Sequence, residues 1–320
     1  MRFVVLGAGA VGGVVGGRLA EHGHDVVLVA RGAHGDAIRR DGLLLRSPDR
    51  QVRLPIPVVD HPSIAGLTPG DVVLLAVKSQ DTQRALDDLG DAPDDVPIVC
   101  LQNGVSNERE ALRRTSHVYA VPVMLPATYL QAGVVDASSS PVTGILDIGR
   151  YPRGTDEIAT QVAAAFAASG FSSEARPDVM RFKWSKLLMN LANSLEAASG
   201  SDARRSPLAT RVREEGRAVL EAAGIDAASD EEELARRGDL ISMHPIDGER
   251  RGGGSSWQSL ARGAGSIEAD HLNGEIVLRG RLHGVPTPVN ELLQRTARRL
   301  VAVGAPPGSI PVEDLEAQLA

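Results

Sequence analysis

The sequence predicts an α/β chain: an N-terminal doubly wound parallel sheet followed by a second, all-helical domain. Three observations carry this expectation. Short runs of branched apolar residues recur through the first half, at 3–6, 26–29, 72–77 and 98–101, each ended by glycine or polar residues. Such runs read as strands buried on both faces. Helix-compatible stretches alternate with them, the order expected of parallel strands joined by crossover helices. From about residue 179 onward the pattern changes, and nearly everything reads as helix plus connector.

Each element can be justified in turn. The run 3–6 stops at Gly7-Ala8-Gly9, and residues 10–21 are small and helix-compatible, closing at Gly23 as a cap. The run 56–59 is a weaker strand, because Pro55 and Pro57 suit a sheet edge. The run 72–77 leads to Lys78, residues 80–89 turn helical, and 98–101 leads to Gln102-Asn103-Gly104. Later strands are expected at 118–124 and 144–149, a helix at 156–168, and a long helix at 181–198. Residues 226–254, where charged clusters precede Gly252-Gly253-Gly254, are expected to form a mobile loop. The expected domains are residues 1–175 and 176–320.

Composition narrows the function. With 320 residues the chain is long enough for about two domains. Aromatics make up only 3%, so the core must be built from aliphatic side chains. A net charge of -7 argues against a nucleic-acid-binding surface. The single Cys100 excludes an intramolecular disulfide or a cysteine-built metal site, and no metal is called for. The first apolar run gives way to glycines after four residues, unlike a secretory signal. No stretch approaches the roughly 18 apolar residues of a membrane span. The expected location is the cytoplasm, with no membrane partner.

Gly7-Ala8-Gly9-Ala10-Val11-Gly12 fits G-x-G-x-x-G between a strand and a helix. Gly7 permits the tight turn, Gly9 lets the backbone approach a pyrophosphate, and Gly12 allows close helix–strand packing. The helix N-terminus then offers free N–H groups to an anion. This is the signature of a Rossmann-type dinucleotide site, although Gly13, Gly16 and Gly17 also admit a merely glycine-rich turn. An NAD site normally places a carboxylate after the second strand. Here that strand ends in Ala30-Arg31, and a guanidinium suits a 2′-phosphate, so NADP(H) is expected. Lys78 and Asn103, after two further strands of the sheet, point to the same crevice.

The helix expected at 181–198 carries Lys186, Asn190, Asn193 and Ser194. At about 100° per residue, Asn190 lies about 40° and Asn193 about 20° from the direction of Lys186, with Ser194 near the edge of that face. Burial lowers a lysine's pKa, which suits a proton donor near neutral pH. Pattern alone equally allows a solvated helix face.

The chain resembles the ketopantoate reductase (2-dehydropantoate 2-reductase) family over nearly its whole length. The resemblance rests on 6–12, 23–31, Val77-Lys78, Gln102-Asn103-Gly104, Trp184-Ser185-Lys186-Leu187 with Asn190, and Ser255-Ser256 with Glu268 and Asn273-Gly274. It implies NADPH-dependent reduction of a small keto acid to (R)-pantoate in pantothenate synthesis. By the same resemblance Lys186 is the proton donor, and Glu268 a catalytic residue beside the cofactor that helps fix Lys186. Asn103 touches cofactor and substrate, Asn190 binds substrate, and Ser256 binds its carboxylate. Gly7, Ala8, Gly9, Ala10, Val11, Gly12, Arg31, Lys78 and the backbone of Ala127 hold the cofactor. The family's second substrate asparagine stands eight residues after the lysine, where this chain has Ser194 with Asn193 before it, so both are candidates. Two other readings stay open: reduction of another 2-keto acid or ketone on the same scaffold, and a non-catalytic NADPH-binding redox sensor. Apolar helical faces in the second domain permit a homodimer.

Overall fold

Strand β1 (Arg2–Leu6) leads through the glycine turn into α1 (Ala10–Glu21) and β2 (Asp25–Val29) in the computed structural model, which describes residues 1–90, 92, 93 and 95–319. Helix α2 (Gly32–Asp41), the hairpin of β3 (Leu43–Arg46) and β4 (Gln51–Leu54), and the short β5 (Val58–Val59) follow. The alternation continues through β6 (Asp71–Leu75), α3 (Thr82–Asp87), β7 (Ile98–Cys100), α4 (Asn107–Leu112) and β8 (Val118–Ala120). Then come β9 (Ala127–Thr128), β10 (Val134–Ala137), β11 (Ser139–Pro141), β12 (Gly149–Arg150) and α5 (Glu157–Ala168).

Seven strands form the main sheet in the order β12-β8-β7-β6-β1-β2-β5. All its pairs are parallel except β12 with β8. Strand β5 lies at the edge, where its proline neighbours need donate nothing to a ladder. The predicted double burial is present. Phe3 and Val5 join the core on one face of the sheet, and Val4 and Leu6 join the core on the other. On either side of β1 the chain runs outward, through β2 in one direction and β6 in the other, so a ligand crevice opens at the carboxyl ends of these strands.

A second sheet of four strands, β4-β3-β10-β9, has no counterpart in the expected elements. It explains the excess of glycines in α1. A Cβ at Gly16 would stand 2.7 Å from Leu28 of the main sheet, and one at Gly13 would stand 2.7 Å from Val135 of the second sheet. The helix is wedged between two β layers, and only glycine admits that approach.

Helix α6 (Val179–Asn190) begins in the first compact unit, Met1–Lys183 with Asp230–Arg251, and ends in the second, Trp184–Ser229 with Gly252–Ala320. The boundary expected near 175 falls before this division, because the first turn of α6 belongs to the first unit. The second unit contains α7 (Asn193–Ser199), α8 (Pro207–Ala222), then α10 (Ser255–Ala261), α11 (Asn273–His283), α12 (Pro288–Ala302) and α13 (Val312–Glu316), with α9 (Asp230–Arg237) returning to the first unit between them. Among its described residues the second unit contains no strand.

Two expectations are corrected. The helix expected at 181–198 is broken at Leu191-Ala192, where the Leu191 carbonyl accepts a hydrogen bond from the Asn273 side chain at 3.0 Å. The mobile loop expected at 226–254 instead contains α9 and β13 (Ile241–Met243), and β13 pairs antiparallel with β11. Long-range pairing orders this segment despite its polar composition.

Candidate active site

The glycine turn is shaped from within the first unit. Gly7 has φ +98°, a conformation that favours glycine. A Cβ at Gly12 would lie 2.1 Å from the Gly7 carbonyl, so this position admits no side chain. Gly9 differs: its φ is -65°, and a Cβ there would meet nothing within 4 Å. Neither strain nor packing inside the protein calls for glycine at position 9. A ligand passing close to the backbone does, and Gly9 is the N-cap of α1, with no side-chain cap bond. The turn therefore fits a dinucleotide pyrophosphate on grounds independent of the sequence motif.

His34, absent from the expected site, braces this turn. Its Nδ1 accepts from the Gly133 N–H at 2.9 Å, so Nε2 carries the proton and donates to the Ala8 carbonyl at 2.7 Å. Gly7, Ala8 and Gly9 line a cleft of about 360 Å³ together with Arg31, His34, Tyr129, Arg84 and Asp88, among others. Ala10, Val11 and Gly12 form the first turn of α1 behind it.

Arg31 follows β2 by two residues and caps α2. It donates to the Asp88 carboxylate at 2.5 Å and to the Asp60 carbonyl at 3.0 Å. The Arg31 hydrogen bond holds the Asp88 carboxyl below the usual range. The cleft thus presents Arg31 and Arg84 together with Asp81 and Asp88. Helix α3, which brings Arg84, is too short and mixed in character to have announced a site from sequence.

Lys78 and Asn103 stand beyond the carboxyl ends of the neighbouring strands β6 and β7, both partly buried. A polar network sets the backbone around them. Gln102 donates to the Val77 carbonyl at 3.0 Å and to Thr82 at 2.7 Å, Thr82 donates to Asn107 at 2.8 Å, and Asn107 donates to the Asn103 carbonyl at 2.9 Å. Ala127 lies in β9, and its N–H donates to the Leu125 carbonyl at 2.8 Å while its own carbonyl accepts from Arg251 at 3.3 Å.

Lys186, Asn190, Asn193, Ser194, Ser256 and Glu268 all fall in the second unit. Lys186 is partly buried and Asn190 buried, both on α6. The break after Asn190 moves Asn193 and Ser194 onto α7, off the continuous face expected for them. Ser194 donates to Asn273 at 2.7 Å, and the Asn193 amide oxygen accepts from Arg204 at 2.6 Å. Ser256, in the first turn of α10, is 2% exposed, and its hydroxyl has no hydrogen-bond partner among the described residues. Glu268 opens a short 3₁₀ turn and is 4% exposed. A buried hydroxyl left without a partner costs about 1–3 kcal/mol, so Ser256 is the atom of this set that most needs a ligand.

A glycine turn built for pyrophosphate on a doubly wound sheet, followed by a helical unit with a lysine and buried polar groups, defines an NAD(P)-dependent oxidoreductase. The family model of ketopantoate reductase PanE/ApbA matches residues 3–153, and that of the ketopantoate reductase PanE/ApbA C terminal matches 178–301. The chain belongs to the ketopantoate reductase family. It is 30% identical to a 2-dehydropantoate 2-reductase of Pyrococcus horikoshii over 95% of this chain and 99% of that one. It is 32% identical to a 2-dehydropantoate 2-reductase of Halobacterium salinarum, over 93% of this chain and 98% of the other. A PanE/ApbA family ketopantoate reductase of Ralstonia eutropha superposes with a TM-score of 0.78 at 31% identity, over 95% of this chain and 99% of that one. D-mandelate dehydrogenase in a ternary structure with NADH shares the fold, at TM-score 0.79 and 21% identity over 95% and 99% of the two chains.

Proposed function

We propose that this protein reduces 2-dehydropantoate to (R)-pantoate with NADPH, the reductive step of pantothenate synthesis, in the cytoplasm. Relatives that carry this activity in their names align over almost the full length of both chains. The observation that carries the reading is the buried Ser256 hydroxyl without a partner, in the unit that also holds Lys186 and Asn190. A substrate carboxylate would satisfy it.

The hydride for the carbonyl carbon would come from the reduced nicotinamide when it is bound. The side chains do the rest. The glycine turn and the N-terminus of α1 would hold the pyrophosphate, and Arg31 would hold the 2′-phosphate. Asn190 orients the keto acid, and Ser256 donates to its carboxylate. The ketone oxygen gains negative charge as reduction proceeds, and the Lys186 ammonium gives it a proton. Glu268 keeps that ammonium in place.

The test follows NADPH oxidation with ketopantoate, pyruvate, 2-ketoisovalerate and a bulky ketone, with NADH as control. Preference for ketopantoate and NADPH is the expected result. Turnover of another substrate alone would make the protein a reductase of that compound, and tight NADPH binding without any turnover would favour a redox sensor. Lys186→Ala should lower kcat by about a hundredfold or more, the usual range for loss of a general acid, while NADPH affinity stays near normal. Full activity in that variant would remove Lys186 from the mechanism.

A further inference from the structure

We propose that Arg204, acting through Glu196, is a positioning residue for the substrate-carboxylate subsite, and that Asn193 serves this device rather than the substrate. The inference rests on the assignment of Ser256 to the carboxylate.

The chain enters α10 through three consecutive glycines, and all three are pressed against a side chain. A Cβ at Gly252 or Gly253 would lie 2.7 or 2.5 Å from the Trp257 side chain. A Cβ at Gly254 would lie 2.6 Å from the Glu196 carboxylate and 3.2 Å from the Arg204 guanidinium. Gly254 caps α10 without a side-chain bond of its own, and its backbone N–H donates to Glu196 Oε2 at 3.1 Å. The same oxygen accepts from Arg204 Nη2 at 2.7 Å, and the same Nη2 donates to Asn193 Oδ1 at 2.6 Å.

One guanidinium nitrogen therefore ties together two positions of α7 about one turn apart, and the carboxylate it fixes holds the backbone two residues before Ser256. The Glu196 side chain is 8% exposed, so its charge needs this partner. The end point of the chain of contacts is a serine hydroxyl that is buried and awaits an acceptor. A charged network gives order to a glycine loop that would otherwise populate several conformations. That order matters here, because a hydroxyl displaced by about 1 Å loses much of its value. The arrangement also accounts for the asparagine at 193. Its amide oxygen accepts from Arg204, and the Ser194 hydroxyl donates to Asn273, so the protein itself orients both side chains.

The experiment is steady-state kinetics with ketopantoate and NADPH on Arg204→Ala, Arg204→Lys, Glu196→Gln and Ser256→Ala. Arg204→Ala should raise the ketopantoate KM about tenfold, with kcat within about twofold and NADPH affinity unchanged. Arg204→Lys should recover most of the loss, because one ammonium can donate both bonds. Glu196→Gln, nearly isosteric, should shift KM in the same direction. Combining Arg204→Ala with Ser256→Ala should raise KM no further than Ser256→Ala alone, since both act through one hydroxyl. Multiplying effects in the double variant, or an equal loss in kcat and KM across all variants, would overturn the proposal. Should Ser256→Ala raise KM while Arg204→Ala and Glu196→Gln do not, the positioning role fails and the Ser256 assignment stands. An unchanged KM in Ser256→Ala defeats both, and lack of wild-type turnover on ketopantoate defeats the functional reading first.

Discussion

Arg31 leaves 47% of its side chain exposed and shares the mouth of the cleft with Arg84, while its guanidinium is partly engaged by Asp88. On the proposed reading a 2′-phosphate would compete for the guanidinium as a doubly charged acceptor and would be repelled by the carboxylate that now holds it. Opposite effects follow from the two residues. Arg31→Ala should raise KM for NADPH by about tenfold or more and leave that for NADH within about twofold. Asp88→Asn should lower KM for NADPH about two- to threefold by releasing the cation. Equal shifts for the two cofactors would show that Arg31 does not discriminate between them. That Gly7, Gly9 and Arg31 come together at one cleft was legible in the sequence because their placement is local: each stands at a fixed offset from a strand. Asp88, Arg84 and His34 were not. They reach the cleft from α2 and α3 through tertiary folding, and nothing in their own neighbourhoods marks them.

At the scale of elements, α6 is anchored where it starts. Lys183 is 2% exposed and ion-pairs with the fully buried Glu108 of α4, and it also donates to the Cys100 carbonyl at the end of β7 at 3.4 Å. One carboxylate oxygen of Glu108 has no hydrogen-bond partner among the described residues, so the pair is only partly satisfied. Removing one partner strands a buried charge. Lys183→Met should cost about 3–5 kcal/mol in urea unfolding, whereas Lys183→Met with Glu108→Leu should recover most of that loss. A double variant as unstable as the single one would mean that the pair stabilises through its own attraction. The sequence showed α6 itself plainly, with Lys186 and Asn190 on one face. It did not show where the helix stops. The group that breaks it, the Asn273 amide, lies 82 positions away, beyond any periodicity argument.

The molecule as a whole is organised by a chain that crosses between its two units three times, and the segment Asp230–Arg251 is the excursion that local sequence concealed. Its polar composition resembled that of a loop, because the partners that order it come from distant parts of the first unit. Arg236 donates to both oxygens of Asp147 at 2.7 and 2.6 Å and to Ser172 at 2.9 Å, with Asp147 only 1% exposed. Arg181 pairs with Glu232 at 2.8 Å, and Gln51 donates to Asp247 at 2.8 Å. Strand β13 and the His244 N–H, which donates to the Ser138 carbonyl at 2.8 Å, continue the attachment. Among these contacts only that of Arg236 neutralises a fully buried carboxylate at hydrogen-bond distance, so it should dominate. Arg236→Ala leaves Asp147 with the Glu174 N–H at 3.1 Å and Arg176 at 3.7 Å, a partial compensation. The cost should therefore fall at about 2–3 kcal/mol, below that of an uncompensated buried charge. If the excursion opens as a unit, native-state hydrogen exchange at Met243 and His244 should accelerate about 30- to 150-fold, the rate equivalent of that energy, while amides of β1 and β6 keep their protection. Uniform acceleration across the sheet would show instead that the excursion is integral to the first unit's core and opens only when that core unfolds.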